Sequence, residues 1–477
     1  MAKTRNDRFF MNPLNKEILR LALPSMVSNI TVPLLGLCDV TIMGHVGGAE
    51  SIAAIAVGSM IFNVMYWLFA FLRMSTSGLT AQAFGAGRQQ ECRHILHRSL
   101  RLALVVAVTI VVLQVPLQWL TFWLMNATGD VARLCMPYFY ICVWGAPAVL
   151  GLYVVMGWLV GMQDTRRPMM IAIGQNVLNI ATSVVLVLGF DMGLTGVAIG
   201  TLTAQWAGFA MGLGCVREKA SPQKASPPTP LRLERGVYTP CGNNKGKDYI
   251  LPSPIGEGPG VRLKGSGVRL KGPGVRLEGL LSVALFLRTL CLVGVNLWFT
   301  SAGAAQGALT LAANTLLMQL FMLFSYVMDG FANAGEALAG RFTGAADEQM
   351  LGHCVRQLFA WGGGAALLFT IAYLLGGPLI LGLLTSDGAV VAAACHYLPW
   401  AVAIPAAGTA AFVWDGIFIG TTRATGMLFA CFWGAVVFFA LWLLLAGSMG
   451  NHGLWLAFIM FLLMRGGVQT WLYRKRN

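Results

Sequence analysis

Asp39 is the one acidic residue in the apolar stretch 18–48, ILRLALPSMVSNITVPLLGLCDVTIMGHVGG. A helix crosses a bilayer core with about 20 apolar residues, and an ionisable group inside such a span costs roughly 2.5–3.5 kcal/mol on insertion scales. A carboxyl kept there can take up and return a proton, or pair with a mobile cation. Pro24 and Pro33 each remove a backbone donor from the same span, which predicts a helix that bends near the acid. Asp39 is therefore the expected coupling residue of a membrane antiporter, with Pro24 and Pro33 as the bend.

Further ionisable residues well inside apolar spans include Arg73 (FAFLRMS), Asp329 (YVMDGF), Glu336 and Asp415 (VWDGIF). Asp329 and Glu336 are seven residues apart, about two helical turns, so they share one face. Such acids suit a path for a cationic substrate, a second proton site, or ion pairing with Arg288. Arg73 is the natural partner of a buried acid, Asp39 or another, or of an anionic substrate group. These four are the substrate or charge-pair candidates.

The elements that carry these residues are membrane spans. Of 477 residues, 57% are hydrophobic and 11% charged, with mean hydropathy +0.69; soluble domains average about 25% charged. Twelve apolar segments can be marked, from 18–43 to 452–473, which predicts an all-α polytopic membrane protein. The net charge of +14 does not point to nucleic acid, because the basic residues collect in alternate loops. Turns such as NATGD, FDMG, SAGAAQG, TSDG and GSMGNHG hold no Lys or Arg, whereas QDTRR, TTRAT and the terminal YRKRN do. The positive-inside rule then places the basic loops and both termini in the cytoplasm. The cysteines show no CxxC or Cys/His metal spacing. The GxG pairs lack the Lys-Ser/Thr of a phosphate loop, which disfavours ATP-driven export.

The chain repeats itself. Ala53, Ala54, Phe62, Gly85 and Ala86 fall on Ala312, Ala313, Phe321, Gly344 and Ala345, and the same offset takes Tyr138 to Tyr397 and Gly161 to Gly420. The expected organisation is an amino-terminal six-helix lobe over 1–216, a linker over 217–279 and a carboxy-terminal six-helix lobe over 280–477. Parallel repeats of this kind place a substrate site between the halves. The linker, with SPQKASPPTP and a near-heptad GPGVRLK–GSGVRLK–GPGVRLE, has a basic, Pro/Gly-rich composition that buries no core.

These features together resemble the multidrug and toxic compound extrusion (MATE) transporters, and within them the DinF subfamily. The likeness rests on Pro24 and Asp39 in the first span, TAQAFGAG after the second, GMQDTRRPMM after the fourth, QNVLNI in the fifth and GLTGVAIGT at the sixth. It implies twelve helices in two pseudo-symmetric lobes, alternating access and export of amphipathic organic cations, driven by H+ or Na+. It also implies that Asn179 and Thr201 act with Asp39 in coupling. Where many members carry a second acid four residues after that asparagine, this chain has Ser183. Because Na+ favours several oxygen ligands and a proton needs one group, H+ is the expected ion. The expectation is thus an H+-coupled exporter, not an enzyme, with no cofactor or bound metal. It is expected to be a monomer in the inner membrane, with small organic molecules and the bilayer as its partners. A Na+-coupled antiporter, a lipid-linked precursor flippase and an inactive transporter or scaffold are the alternatives.

Overall fold

The computed structural model describes residues 13–46, 49–124, 129–220, 274–385 and 387–475, without the side chains of 32–37, 39–53, 124–131, 220 and 274–278. Among the described residues it is a helical protein in two lobes. The first comprises α1 (Pro13–Val46), α2 (Ala49–Leu68), α3 (Phe71–Gly85), α4 (Gln89–Val112), α5 (Gln114–Leu124), α6 (Gly129–Cys142), α7 (Ala146–Gly161), α8 (Arg166–Val184) and α9 (Gly193–Ala220). The second comprises α10 (Gly274–Ala304), α11 (Ala308–Gly344), α12 (Glu348–Leu384), α13 (Gly388–Gly420), α14 (Ala424–Met449) and α15 (Asn451–Arg474). Taking α2 with α3, α4 with α5 and α6 with α7 as broken single crossings gives six per lobe. Ten of the twelve have the length and hydropathy of a membrane span; α1 and α9, of 34 and 28 residues, complete the set.

Local sequence accounts for several of these boundaries. The break before α5 precedes Pro116, and a 3-10 turn at Val143–Gly145 precedes Pro147, each proline removing a helix amide. Asp347 and Asp387 cap α12 and α13, accepting hydrogen bonds from Met350 N at 2.9 Å and Ala389 N at 2.9 Å. Helices extend beyond the apolar segments into polar turns: α4 begins at Gln89, within the polar run QQECRHILHR. The first helix runs without interruption past both Pro24 and Pro33. Most of the linker segment 217–279 lies outside the described residues.

In the carboxy lobe α13 is the central helix, 78% buried over its apolar window, whereas α12 and α14 are 17% and 22% buried there. The outward faces of α12 and α14 carry Leu375, Leu383, Leu443 and Leu444, all largely exposed, as a lipid-facing surface requires. Buried polar ends are satisfied inside. Tyr373 donates its hydroxyl to Leu320 O at 2.6 Å and Trp158 its indole N–H to Cys92 O at 2.9 Å.

The repeat is visible as matched backbone approaches. Gly157 and Gly161 of α7 lie against the carbonyls of Arg73 and Ser77 in α3; their counterparts Gly416 and Gly420 of α13 lie against those of Ala332 and Glu336 in α11. Gly85 lies against the carbonyl of Arg341, and Gly344 against that of Gln82. A Cβ on any of these glycines would collide with the carbonyl oxygen it faces, so only glycine admits the approach. The left-handed turn residues correspond as well: Gly87 with Ala346, and Gln163 with Thr422.

Candidate functional site: the cleft between the lobes

The lobes are joined from the end that carries the basic loops. There Glu17 of α1 makes a two-pronged ion pair with Arg341 of α11, at 2.6 and 2.8 Å. Gln82 donates to Gly420 O and Thr422 Oγ1 at 3.0 and 3.1 Å, and Gln163 to Ala337 O at 2.7 Å. Trp361 donates to Asn15 Oδ1 at 3.3 Å. Deeper in, α1 packs on α11, with Met26 over Gly330 and Asn29 Nδ2 donating to Tyr326 O at 3.1 Å. Among the described residues the hydrogen bonds, ion pairs and ring contacts between lobes run from that end to the level of Asn29 and Arg288, about halfway along α1 and α10.

At that halfway level the carboxy lobe gathers its charge. Asp415 of α13 is held by three groups. Arg288 of α10 donates through Nη2 to its Oδ2, Arg465 of α15 donates to the same oxygen at 2.7 Å, and Gln469 donates to Oδ1 at 2.7 Å. Asp415, Arg288 and Arg465 are 6%, 6% and 4% exposed. Of the acids for which Arg288 was a possible partner, Asp415 is the one it pairs with, and Arg465 joins it. A carboxylate so enclosed is a structural tie between three helices, with no oxygen left over for a transported cation.

Arg73 does not meet Asp415. Its Nη1 donates to Asn333 Oδ1 of α11 at 3.1 Å and lies 3.6 Å from Glu336 Oε2. The Arg73 side chain is 26% exposed and that of Glu336 1%. Asp329, one turn from Asn333 on the same helix, is half-buried and makes no ion pair or hydrogen bond among the described residues. The cleft wall of α11 thus runs acid, amide, acid, with an arginine from the opposite lobe laid against its inner part.

In the amino lobe Asn179, 2% exposed, donates to Thr201 Oγ1 at 3.2 Å and accepts from Ser183 Oγ at 3.3 Å. Asn176 donates to Thr31 O of α1 at 3.2 Å, so α8 is tied to the helix that carries Asp39. A π-helical turn, Val185–Gly189, follows this cluster directly, and such turns recur at functional positions. The side chains of Asp39 and Pro33 lie outside the described residues; Pro24 is half-buried on α1.

Several joined groups carry no local sequence signal, because their partners are far apart in the chain. Glu17–Arg341 is one. Another is the buried amide pair Asn314–Asn451, at 2.8 and 2.9 Å, with Trp455 donating to Asn314. The histidines include a joined pair. His452 Nε2 lies 3.2 Å from His396 Nε2, and Trp400 donates to His452 Nδ1 at 3.0 Å.

Comparison with known proteins agrees with this architecture. The MatE family model matches twice, over residues 24–185 and again over 282–443. DNA damage-inducible protein F of Escherichia coli K12 is 36% identical over 96% of this chain and 91% of its own length. A probable multidrug resistance protein NorM of Thermotoga maritima is 26% identical over 41% of this chain and 43% of its own. Among solved structures, the outward-facing conformation of a multidrug resistance MATE transporter superposes with TM-score 0.80 at 18% identity, covering 98% of this chain and 97% of that one. A MATE structure in the bent conformation gives 0.79 at 18% identity, over 98% and 96% of the two chains. Matched in both halves and over nearly its whole length, the chain belongs to the multidrug and toxic compound extrusion (MATE) family of multi-pass membrane transporters.

Proposed function

We propose that this protein is a secondary active exporter that exchanges protons for amphipathic organic cations across the inner membrane, with its basic loops and both termini in the cytoplasm. The observation that carries the reading is the row of acid, amide and acid on α11 at the junction of the lobes, met by Arg73 of the opposite lobe. Two lobes, joined from the basic end to mid-depth, enclose an acid-lined wall where a membrane span would otherwise tolerate no charge. Alternating access then needs only that the basic-end contacts and an equivalent closure at the other end exclude each other. A few kcal/mol of differential binding is enough to shift such an equilibrium.

Asp39 is assigned the protonation switch, and Asn179 and Thr201 its polar surroundings on the neighbouring helices. In the outward-open form a proton on Asp39 neutralises α1, lets the helix repack around Pro24 and Pro33, and releases the substrate. Proton coupling is preferred over Na+ for two reasons. Asp415, the acid with the most hydrogen-bonding partners, is already saturated by two guanidinium groups and an amide. The Asn179 cluster offers a hydroxyl at Ser183 in place of a second carboxylate, and Na+ favours a set of several oxygens. The folded chain is assigned as a monomer that needs no cofactor beyond the ion gradient.

Proteoliposomes with an imposed pH gradient test this reading. Lipophilic cations should evoke proton movement without Na+ in the wild type, and Asp39→Asn should abolish it. Coupling that requires Na+, or that persists in Asp39→Asn, would overturn the ion assignment or the switch respectively.

A further inference from the structure

Of the arginine–carboxylate contacts around the cleft, one is loose. Glu17–Arg341 is bidentate at 2.6 and 2.8 Å, and Asp415 is gripped from two sides. Arg73 reaches Glu336 only at 3.6 Å, beyond the 2.7–2.9 Å of a charge-assisted hydrogen bond. It is also the most exposed arginine of the three contacts. Glu336 is almost wholly buried. Besides Arg73, the hydroxyl of Ser77 in α3 acts on this carboxyl as a hydrogen-bonding neighbour, so Arg73 is the charged group that balances it.

Charge counting narrows what would satisfy it. The Arg288–Asp415–Arg465 tie carries a surplus of one positive charge, Asp329 and Glu336 together two negative charges, and Arg73 one positive. The set is neutral with Arg73 in place. Withdraw Arg73 and one negative charge remains, at a depth where a net charge is expensive. Asp329, Asn333 and Glu336 stand on one face of α11 by their spacing, and Tyr326, one turn from Asp329, adds an aromatic ring on that face.

We infer that Arg73 is a tethered counter-cation occupying a substrate subsite formed by Asp329, Asn333 and Glu336, and that a singly charged organic cation enters by displacing it. The inference rests on the exporter reading for its substrate class, and adds the site, the valence and the competitor. It also gives occupancy a mechanical result. Arg73 belongs to the amino lobe and its partners to the carboxy lobe, so displacing it removes a contact that holds the lobes together.

The test is equilibrium binding of tetraphenylphosphonium, a permanent monocation, to the purified full chain in nanodiscs, with neutral triphenylphosphine oxide as the control. Arg73→Gln should bind the cation roughly tenfold tighter and leave the neutral compound unchanged. Arg73→Lys should restore wild-type affinity, and Glu336→Gln added to Arg73→Gln should cancel the gain. If Arg73→Gln does not fold, Asn333→Ala, which removes the hydrogen bond that seats Arg73, carries the test with an expected gain of about threefold. Unchanged or weaker cation affinity in the folded variant, or an equal gain for the neutral compound, overturns the subsite. Binding that follows these expectations without any transport in proteoliposomes would overturn the exporter reading and leave the subsite standing.

Discussion

Asp415 and Glu336 are both buried acids beside arginines, and the structure gives them different work. Asp415 has every oxygen engaged, so removing its charge leaves Arg288 and Arg465 facing each other with no counter-ion. Asp415→Asn should therefore lower stability by about 3–5 kcal/mol, the usual cost of breaking a buried pair, seen as a lower midpoint of thermal unfolding in detergent. Glu336→Gln should cost much less stability and act chiefly on cation affinity. Outside the spans, Asp164 at the turn before α8 gives a pH signature. Burial pushes its carboxyl up, but Lys219, bonded at 3.0 Å, and Arg167, at 2.8 Å, together hold it below its ordinary value of 3.8. A carboxyl lowered in the folded state stabilises above its unfolded pKa, and that contribution is lost as pH falls through the folded one. Asp164→Asn should flatten the acid limb of a stability–pH curve measured by thermal unfolding.

At the scale of elements, the spans were legible because hydropathy reports them directly, and the repeat was legible because small residues recur at one offset. The break between α2 and α3 at residues 69 and 70 was not legible, since neither proline nor glycine marks it. Breaks at Pro116 and Pro147 carried a visible cause. The site was legible only in part. Sequence supplied the acids, Arg73, and Arg288 as one possible partner of three acids, without saying which of them it meets. It could not supply the partner of Arg73, because Asn333 and Glu336 come next to it only when α3 and α11 cross. Glu17 meets Arg341 across 324 positions of sequence, a separation that no local pattern encodes. The glycines of that crossing were visible, but not what they face. Gly85→Ala or Gly344→Ala should prop the basic ends of α3 and α11 apart, because each new Cβ meets a backbone carbonyl that cannot turn away. Single cysteines placed at the α3–α4 and α11–α12 turns should then gain reactivity toward a polar maleimide, relative to the unsubstituted glycine.

For the molecule as a whole, the fold divides its labour unequally between halves that share a backbone plan. At positions related by the repeat, Ser77 stands in the amino lobe where Glu336 stands in the carboxy lobe, and Ala332 stands where the amino lobe has Arg73. Charge was thus placed on one side of each matched pair, while the helix crossings stayed alike. The crossing itself has a further property. Gln82 meets Gly344 and Arg341 meets Gly85, and the repeat relates Gln82 to Arg341 and Gly85 to Gly344. Ala81 likewise meets its own counterpart, Gly340. A contact in which each partner presents the same patch to the other is isologous, the form two identical subunits make about a two-fold axis. The backbone approaches of this single chain's seam have the geometry of a homodimer interface, while Glu17–Arg341 and Arg73–Asn333 bind the halves through residues that only one half carries.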